Sequence, residues 1–346
     1  MNTVLTYPLS NVFESFLCRL NIREEGGMRQ VQKYHTLQAS AEGGEAAPRN
    51  TAHQSVMMQE VLGALSPRDE DIILDATAGA GGHAEMLLRA FDIGRLIALD
   101  ADPKAVANVT ARLAPFGDRA TVVNANFSEI ERVLQKLHIT SINKALFDLG
   151  WNRTQLYDGR GLSFMKDEPL NMSYGVEPAS GATARDMVNE WKEETIADII
   201  FGYGEERYAR RIAKAIVEAR EHQPIETTLQ LVDVIGGAVP AAYRRGRLHF
   251  ATKTFQALRV AVNNELGVLD QGLRGAWNTL APGGRIAVIT FHSIEDRAVK
   301  RVFAEWARNK KGVLIAKKPI TPTAEEIAHN PSSRSAKLRI IEKTAE

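Results

Sequence analysis

Short apolar runs alternate with amphipathic stretches of helical length over the first ordered-looking part of the chain. Runs at 71–76, 95–99, 120–124 and 144–149 read as strands, and the stretches at 83–91, 103–114 and 128–137 between them read as helices. A further helix is expected over 56–65, stopped at Pro67. Asp102 and Pro103 mark the start of the second intervening helix as cap and first-turn residue, and Ser128 is the expected N-cap of the third. Strands separated by helices predict an α/β fold around a mostly parallel sheet, with ligands at the carboxyl ends of the strands.

The alternation stops after Gly150. Gly159, Gly161, Gly175 and Pro178 make 151–180 a predicted loop, and helical patterns then follow at about 182–190, 194–202, 205–221, 227–237 and 251–264 with little strand signal. The strand–helix pattern resumes with a helix at 266–280, a turn at 281–284, a strand at 285–291, a helix over 293–308 and a closing strand at 337–342. This gives a sheet domain at 51–155 and 265–346, interrupted by an all-helical insertion at 156–264. Residues 1–50 lack sustained periodicity and read as a poorly ordered arm.

Composition narrows this picture only a little. The chain has 346 residues, of which 44% are apolar, enough for a sizeable core. Its 43 basic and 42 acidic residues leave a net charge of +1, so any surface for nucleic acid must be local. Cys18 is the single cysteine, which excludes a disulfide framework and a cysteine metal site and fits a reducing, cytoplasmic setting. No apolar run is long enough to span a membrane, and no metal site is expected.

The chemistry concentrates at the strand ends. Asp75 is followed by Ala-Thr-Ala and then Gly79, Gly81, Gly82 and His83, a glycine turn between a strand and a helix, and Asp100 ends the next strand. Such a turn lets backbone approach a nucleotide-like ligand, and an acid in the position of Asp100 can accept hydrogen bonds from ribose hydroxyls. The spacing departs from G-x-G-x-x-G, and Asp75 would repel a pyrophosphate, so a cationic, phosphate-free ligand such as S-adenosylmethionine fits better than a dinucleotide. A dinucleotide oxidoreductase is disfavoured on the same grounds. Phe127 follows the third strand, where its ring could stack on an adenine. Asp148 ends the fourth, beside the cleft, where a methyl acceptor would stand, and Asn152, Gln155, Asp158 and Asn171 add polar groups in the loop beyond.

In the insertion, Arg207, Arg210, Arg211 and Lys214 recur at helical spacing on one face, with Ile212 and Ile216 on another. With Lys253, Arg259 and the arginines at 244, 245 and 247, they are candidate contacts for RNA phosphates. His292, Ser293 and Asp296 lie too close together for a hydrolase relay, and Ser293 with Asp296 reads as a helix cap.

These motifs together resemble the bacterial ribosomal RNA small subunit methyltransferase H family, of MraW type. The resemblance runs from His53 to the C-terminus through the glycine turn, Leu99-Asp-Ala-Asp-Pro103, Asn126-Phe-Ser128, Asp148-Leu-Gly150, Arg160-Gly-Leu-Ser-Phe164, the 203–212 segment, the 251–259 segment, Asn263-Asn-Glu-Leu266 and Phe291-His-Ser-Ile-Glu-Asp-Arg297. It implies a class I S-adenosylmethionine-dependent methyltransferase, Rossmann-like, with an inserted helical substrate domain. The implied reaction is methylation of N4 of a decoding-centre cytidine in 16S rRNA. The implied partner is small-subunit rRNA or the 30S particle, and a homodimer is compatible with it.

S-adenosylmethionine would be held by Gly81, Gly82, His83, Asp100, Phe127, Asp148 and Gln155. Asp148, Asn152 and Asn171 are the candidate catalytic residues. Two rivals follow from departures: Trp151-Asn152-Arg153 stands where the family commonly has Val-Ser-Ser, and Asn171 where it has aspartate. A silent rRNA-binding assembly factor or another amine acceptor would fit those changes. An active enzyme is expected, because an asparagine carbonyl can still accept a hydrogen bond.

Overall fold

The computed structural model describes residues 55–150, 159–175 and 177–345. Seven strands form one sheet: β1 (Ile72–Asp75), β2 (Arg95–Asp100), β3 (Ala120–Asn124), β4 (Ile142–Asp148), β5 (Leu280–Thr290), β6 (Gly312–Leu314) and β7 (Lys337–Lys343). Their spatial order is β3-β2-β1-β4-β5-β7-β6. The first five run parallel, and β7 is antiparallel to both β5 and β6. The order reverses at β1, next to β4, so a crevice opens at the carboxyl ends of those strands, where open α/β sheets bind ligands. This is the class I, Rossmann-like methyltransferase architecture that the motifs imply.

The strands are buried on both faces, which explains their continuous apolar runs. Ile73, Leu96, Ala98, Leu146, Ala287 and Ile289 pack on one side with α1 (Met58–Leu65), α2 (Gly82–Ala90) and α3 (Pro103–Leu113). Leu74, Ile97, Leu99, Phe147, Ile286 and Val288 pack on the other with α4 (Ile130–Lys136), α11 (Glu265–Thr279) and α12 (Ser293–Arg308). Stacking of Trp277 on Trp306, centroids 4.1 Å apart, joins α11 to α12.

Among the described residues, six helices lie between β4 and α11: α5 (Ala184–Glu190), α6 (Glu193–Gly204), α7 (Ala209–His222), α8 (Thr228–Ala238), α9 (Ala241–Arg244) and α10 (Thr252–Val262). Their apolar stripes, including Ile196, Ile200, Ile212, Ile216, Leu231, Ile235 and Leu258, form a third core separate from the two sheet faces. The short α9 was not legible in the pattern. The strand β6 and the helix α13 (Ala324–His329) were missed too, because three and six residues are too few to establish a period.

Two caps differ from expectation. Asn126, rather than Ser128, caps the turn after β3: its side chain accepts the Ser128 N–H, while Glu129 returns the bond to the Asn126 N–H. At α12 the capping box is His292 with Glu295. Ser293 instead donates to Glu205, and Asp296 is engaged by Arg339 and Lys337. Asp102 caps α3 through the Lys104 N–H, as its position suggested.

Candidate active site

The crevice is built from strand ends that the sheet brings side by side. The turn after β1 is pinned at three points: Ala78 N–H donates to Leu99 O (2.8 Å), Gly81 N–H to Ala78 O (2.7 Å), and Asp148 N–H to Thr77 Oγ1 (2.6 Å). Gly79 and Gly81 have φ of 54° and 77°, a region that disfavours side chains. A Cβ at Gly82 would stand 2.1 Å from Ser55 Oγ, so a side chain there would push the serine hydroxyl aside. The cleft itself is lined by Gly79 and Ala80 of the turn; Gly81 faces Val109 and Arg112 of α3.

Asp100 ends β2 at the cleft wall. Its carboxylate accepts Gly79 N–H and Asp102 N–H, both at 2.8 Å, which ties the glycine turn to the start of α3. Burial pushes its pKa up, opposed by those two backbone bonds, with Asp102 adding to the rise. Each carboxylate oxygen keeps a lone pair for a ligand hydroxyl. Asp75 is fully enclosed behind the turn, and burial pushes its carboxyl up to about 7 despite the Thr77 N–H, with Asp148 and Asp100 adding repulsion. Phe127 lines the same cleft, held edge-on against Phe147 at 5.7 Å and against Gly272 of α11.

Asp148 and His83 form a buried pair. His83 Nε2 lies 3.0 Å from Val56 O, so that nitrogen carries a proton and donates; its Nδ1 faces Asp148 Oδ2 at 3.5 Å. In a neutral ring with that tautomer, Nδ1 presents a lone pair to the carboxylate. One further proton placed on Nδ1 or on Asp148 turns the contact into a hydrogen bond. The carboxylate leaves negative charge at the cleft wall, which attracts a cation.

The opposite wall comes from residues that single-residue reasoning had not assigned to the site: Tyr174, Asn263, Glu265, Val268 and Glu295. Arg259, at the end of α10, donates to both oxygens of Glu265 (2.8 and 3.0 Å) and reaches His292 Nε2 at 3.3 Å. Tyr174 O–H also donates to Glu265. Burial opposes the Arg259 charge, yet Glu265, Tyr174 and Glu295 more than offset it and raise its pKa; burial followed by the Glu265 carboxylate raises that of Tyr174. Arg259 is thus a structural cation of the cleft wall, which corrects its assignment to phosphate binding: a guanidinium committed to Glu265 and largely enclosed is withdrawn from a surface duplex or strand.

Glu265, His292 and Glu295 bring ligand atoms within 4.8 Å of one another. Arg259 already supplies positive charge to that trio, so a metal ion would have to compete with it. Asn263 is fully used in bonding, accepting Tyr174 N–H and donating to Met172 O and Arg259 O. The only sequence signal for this wall was the Asn263-to-Leu266 and Phe291-to-Arg297 motifs.

Other candidates lie elsewhere. Asn171 is exposed, accepts Ser173 N–H in a local turn and is absent from the cleft lining. Asn152, Gln155 and the neighbouring Trp151 lie outside the described residues. Arg207, Arg210, Arg211 and Lys214 are exposed together along α7 and the turn before it, with Lys214 near Glu218 (3.6 Å). Lys253 donates to Glu205 O (2.8 Å) close by. No helix among the described residues is long and apolar enough to cross a membrane.

Residues 50–344 match the MraW methylase family. The "Ribosomal RNA small subunit methyltransferase H" of Symbiobacterium thermophilum is 46% identical over 308 residues, covering 84% of this chain and 96% of that protein. The protein of the same name from Sulfurihydrogenibium sp. is 44% identical over 288 residues, covering 83% and 98%. A solved rRNA methylase from Streptococcus thermophilus overlaps 87% of this chain and all of its own, at 12% identity and a TM-score of 0.40, too loose a match to add to the argument.

Proposed function

The chain belongs to the MraW methylase family, and on that premise we propose that it transfers a methyl group from S-adenosylmethionine to N4 of a decoding-centre cytidine in small-subunit rRNA. The observation that carries the reading is the cleft: a glycine turn, a ribose-type acid and an aromatic ring share one pocket with a buried aspartate–histidine pair. The residues present suit the cofactor. Asp100 would accept its ribose hydroxyls, Phe127 would cover its base, and the negative charge of Asp148, reinforced by Asp75 when ionised, would favour a sulfonium.

S-adenosylmethionine, when bound, supplies an electrophilic methyl group. The protein's share is positioning, because the exocyclic amine of cytosine is a poor nucleophile whose lone pair is delocalised into the ring. Asp148 can accept a hydrogen bond from that amine, and His83 on its far side can share the proton that the amine loses. The target base has to leave its stack to reach the cleft. The exposed cations of α7 would track the RNA backbone from the insertion. Asn152 and Gln155 are the candidates for completing the acceptor side, whereas Asn171 bonds within its own turn and does not line the cleft.

Incubating the protein with labelled S-adenosylmethionine and small subunits lacking the modification, followed by nuclease digestion and mass spectrometry, tests the proposal. Label on a single cytidine at N4 is the expected result. Cofactor binding without transfer would favour the assembly-factor reading, and label on another base or amine would overturn the acceptor assignment.

A further inference from the structure

A second concavity, of about 510 Å³, opens in the helical insertion and shares no lining residue with the active-site cleft. Its walls come from three places: Arg207 and Tyr208 before α7, the segment from Pro240 to Leu248, and Lys253 in the first turn of α10. The Arg207 guanidinium lies 4.8 Å from the Tyr208 ring centre and 5.0 Å from that of Tyr243, and the two rings meet edge-to-face at 5.0 Å. Arg211 approaches the Tyr208 ring at 5.8 Å.

Glu206 holds this arrangement from below. Its side chain is completely buried, accepting Tyr208 N–H at 2.9 Å and the Tyr243 hydroxyl. Burial and the Glu206 carboxylate raise the Tyr243 pKa, so the phenol stays protonated and keeps donating. The nearby acids are committed: Glu206 is inside, and Glu205 is engaged by Arg297 and Ser293. Arg247 and Leu248 of the lining are exposed, as are Arg244 and Arg245 in the same segment, which leaves a positive field around an aromatic pocket. Cations to meet a phosphate and π-faces to stack a base are the two elements that bind single-stranded nucleic acid.

We propose that this pocket holds an unpaired RNA nucleotide close to the methylation target, its phosphate on Arg247 and Lys253 and its base against Tyr243 and Arg207. The inference rests on the rRNA reading above and adds a second RNA subsite to it. Helix α10 runs from Lys253 in the pocket to Val262, beside the cleft residue Asn263, a length of roughly 15 Å at about 1.5 Å per residue. A strand rises about 3.4 Å per nucleotide, so a nucleotide about four to five positions from the target can bridge the two sites.

Two measurements on the full chain with unmodified small subunits decide the matter. Ultraviolet crosslinking and peptide mass spectrometry should find a nucleotide adduct on Tyr208 or Tyr243; adducts elsewhere on the protein but never there would overturn the proposal. The Arg207→Ala/Arg247→Ala pair should raise KM for small subunits about tenfold, leave kcat within about twofold, and reduce the salt slope of binding by about one, since Arg247 alone of the two meets a phosphate. A control pair of exposed lysines, Lys136→Ala/Lys318→Ala, removes the same charge and should leave KM within about twofold. If the pocket pair behaves like this control, the subsite is wrong while the rRNA reading stands. If the unaltered protein neither binds nor methylates small subunits, the rRNA reading falls and takes the subsite with it.

Discussion

The sheet crevice and the helical insertion handle charge in opposite ways. At the crevice, acids are enclosed: Asp75 is fully buried, Asp100 is mostly so, and Asp148 contacts His83 inside the wall. On the insertion, Arg207, Arg210, Arg211 and Lys214 stand in solvent with few carboxylates to meet them. A buried charge acts on a small ligand at short range and resists screening, whereas exposed cations attract a polyanion over a Debye length and weaken with salt. The difference suits a cationic small molecule at one place and RNA at the other. Arg259 marks the seam, a cation from the insertion enclosed with Glu265 from the sheet domain.

The largest effect expected from disturbing this contrast is at Asp148. Asp148→Ala should reduce kcat by roughly 10²–10³-fold, the scale seen for removing one oriented polar group from a reacting centre. A loss below about fivefold in single-turnover transfer would remove Asp148 from the acceptor side.

Next comes the seam. Arg259→Met leaves Glu265 enclosed without its main partner and should cost about 3 kcal/mol in denaturant unfolding; Arg259→Met with Glu265→Leu should recover a good part of it. A single variant as stable as the unaltered protein would return Arg259 to the surface cations. A smaller effect is expected at Asp100. Asp100→Ala should weaken S-adenosylmethionine binding by about 1.5–3 kcal/mol in calorimetry, the value of a hydrogen bond to a charged group. Unchanged affinity would break the ribose assignment.

A further effect, smallest on the cofactor, concerns pH. Asp75 has its folded pKa raised to about 7 from 3.8, so the folded chain binds the extra proton between those values and this group's contribution to stability falls as pH rises through about 7. Glu60, also raised to about 7 by burial, acts in the same direction. Thermal unfolding should therefore show a downward trend from pH 5 to 8 that Asp75→Asn makes shallower. Cofactor affinity should rise over the same interval by less than about tenfold, because the ionised form attracts the sulfonium. An Asp75→Asn protein with the same two slopes would show that Asp75 does not titrate there.

The crevice was the more legible region. Its strands are buried on both faces, so apolar runs announce them, and glycines with positive φ and acids at strand ends have few other uses. The insertion's helices were equally plain from their stripes. What the pattern could not supply was the wall formed by Tyr174, Asn263, Glu265 and Glu295, because those residues come from three separated segments and meet only when the insertion folds back on the sheet. Arg259 illustrates the same limit: its charge grouped it with Lys253 on the same helix, but the Glu265 carboxylate six residues on turned it inward. Asn126 and His292 took the caps from Ser128 and Ser293 because caps are decided by backbone angles at one residue, which neighbouring serines and asparagines share in preference.

Steady-state kinetics with both substrates varied tests the division of labour most directly. Asp100→Ala should raise KM for S-adenosylmethionine at least tenfold with little change in KM for small subunits, and Arg210→Ala/Arg211→Ala should do the reverse, with a reduced salt slope. If both variants shift the same constant, or neither separates the two, the account of an acid-lined cofactor crevice and a cationic RNA face is contradicted.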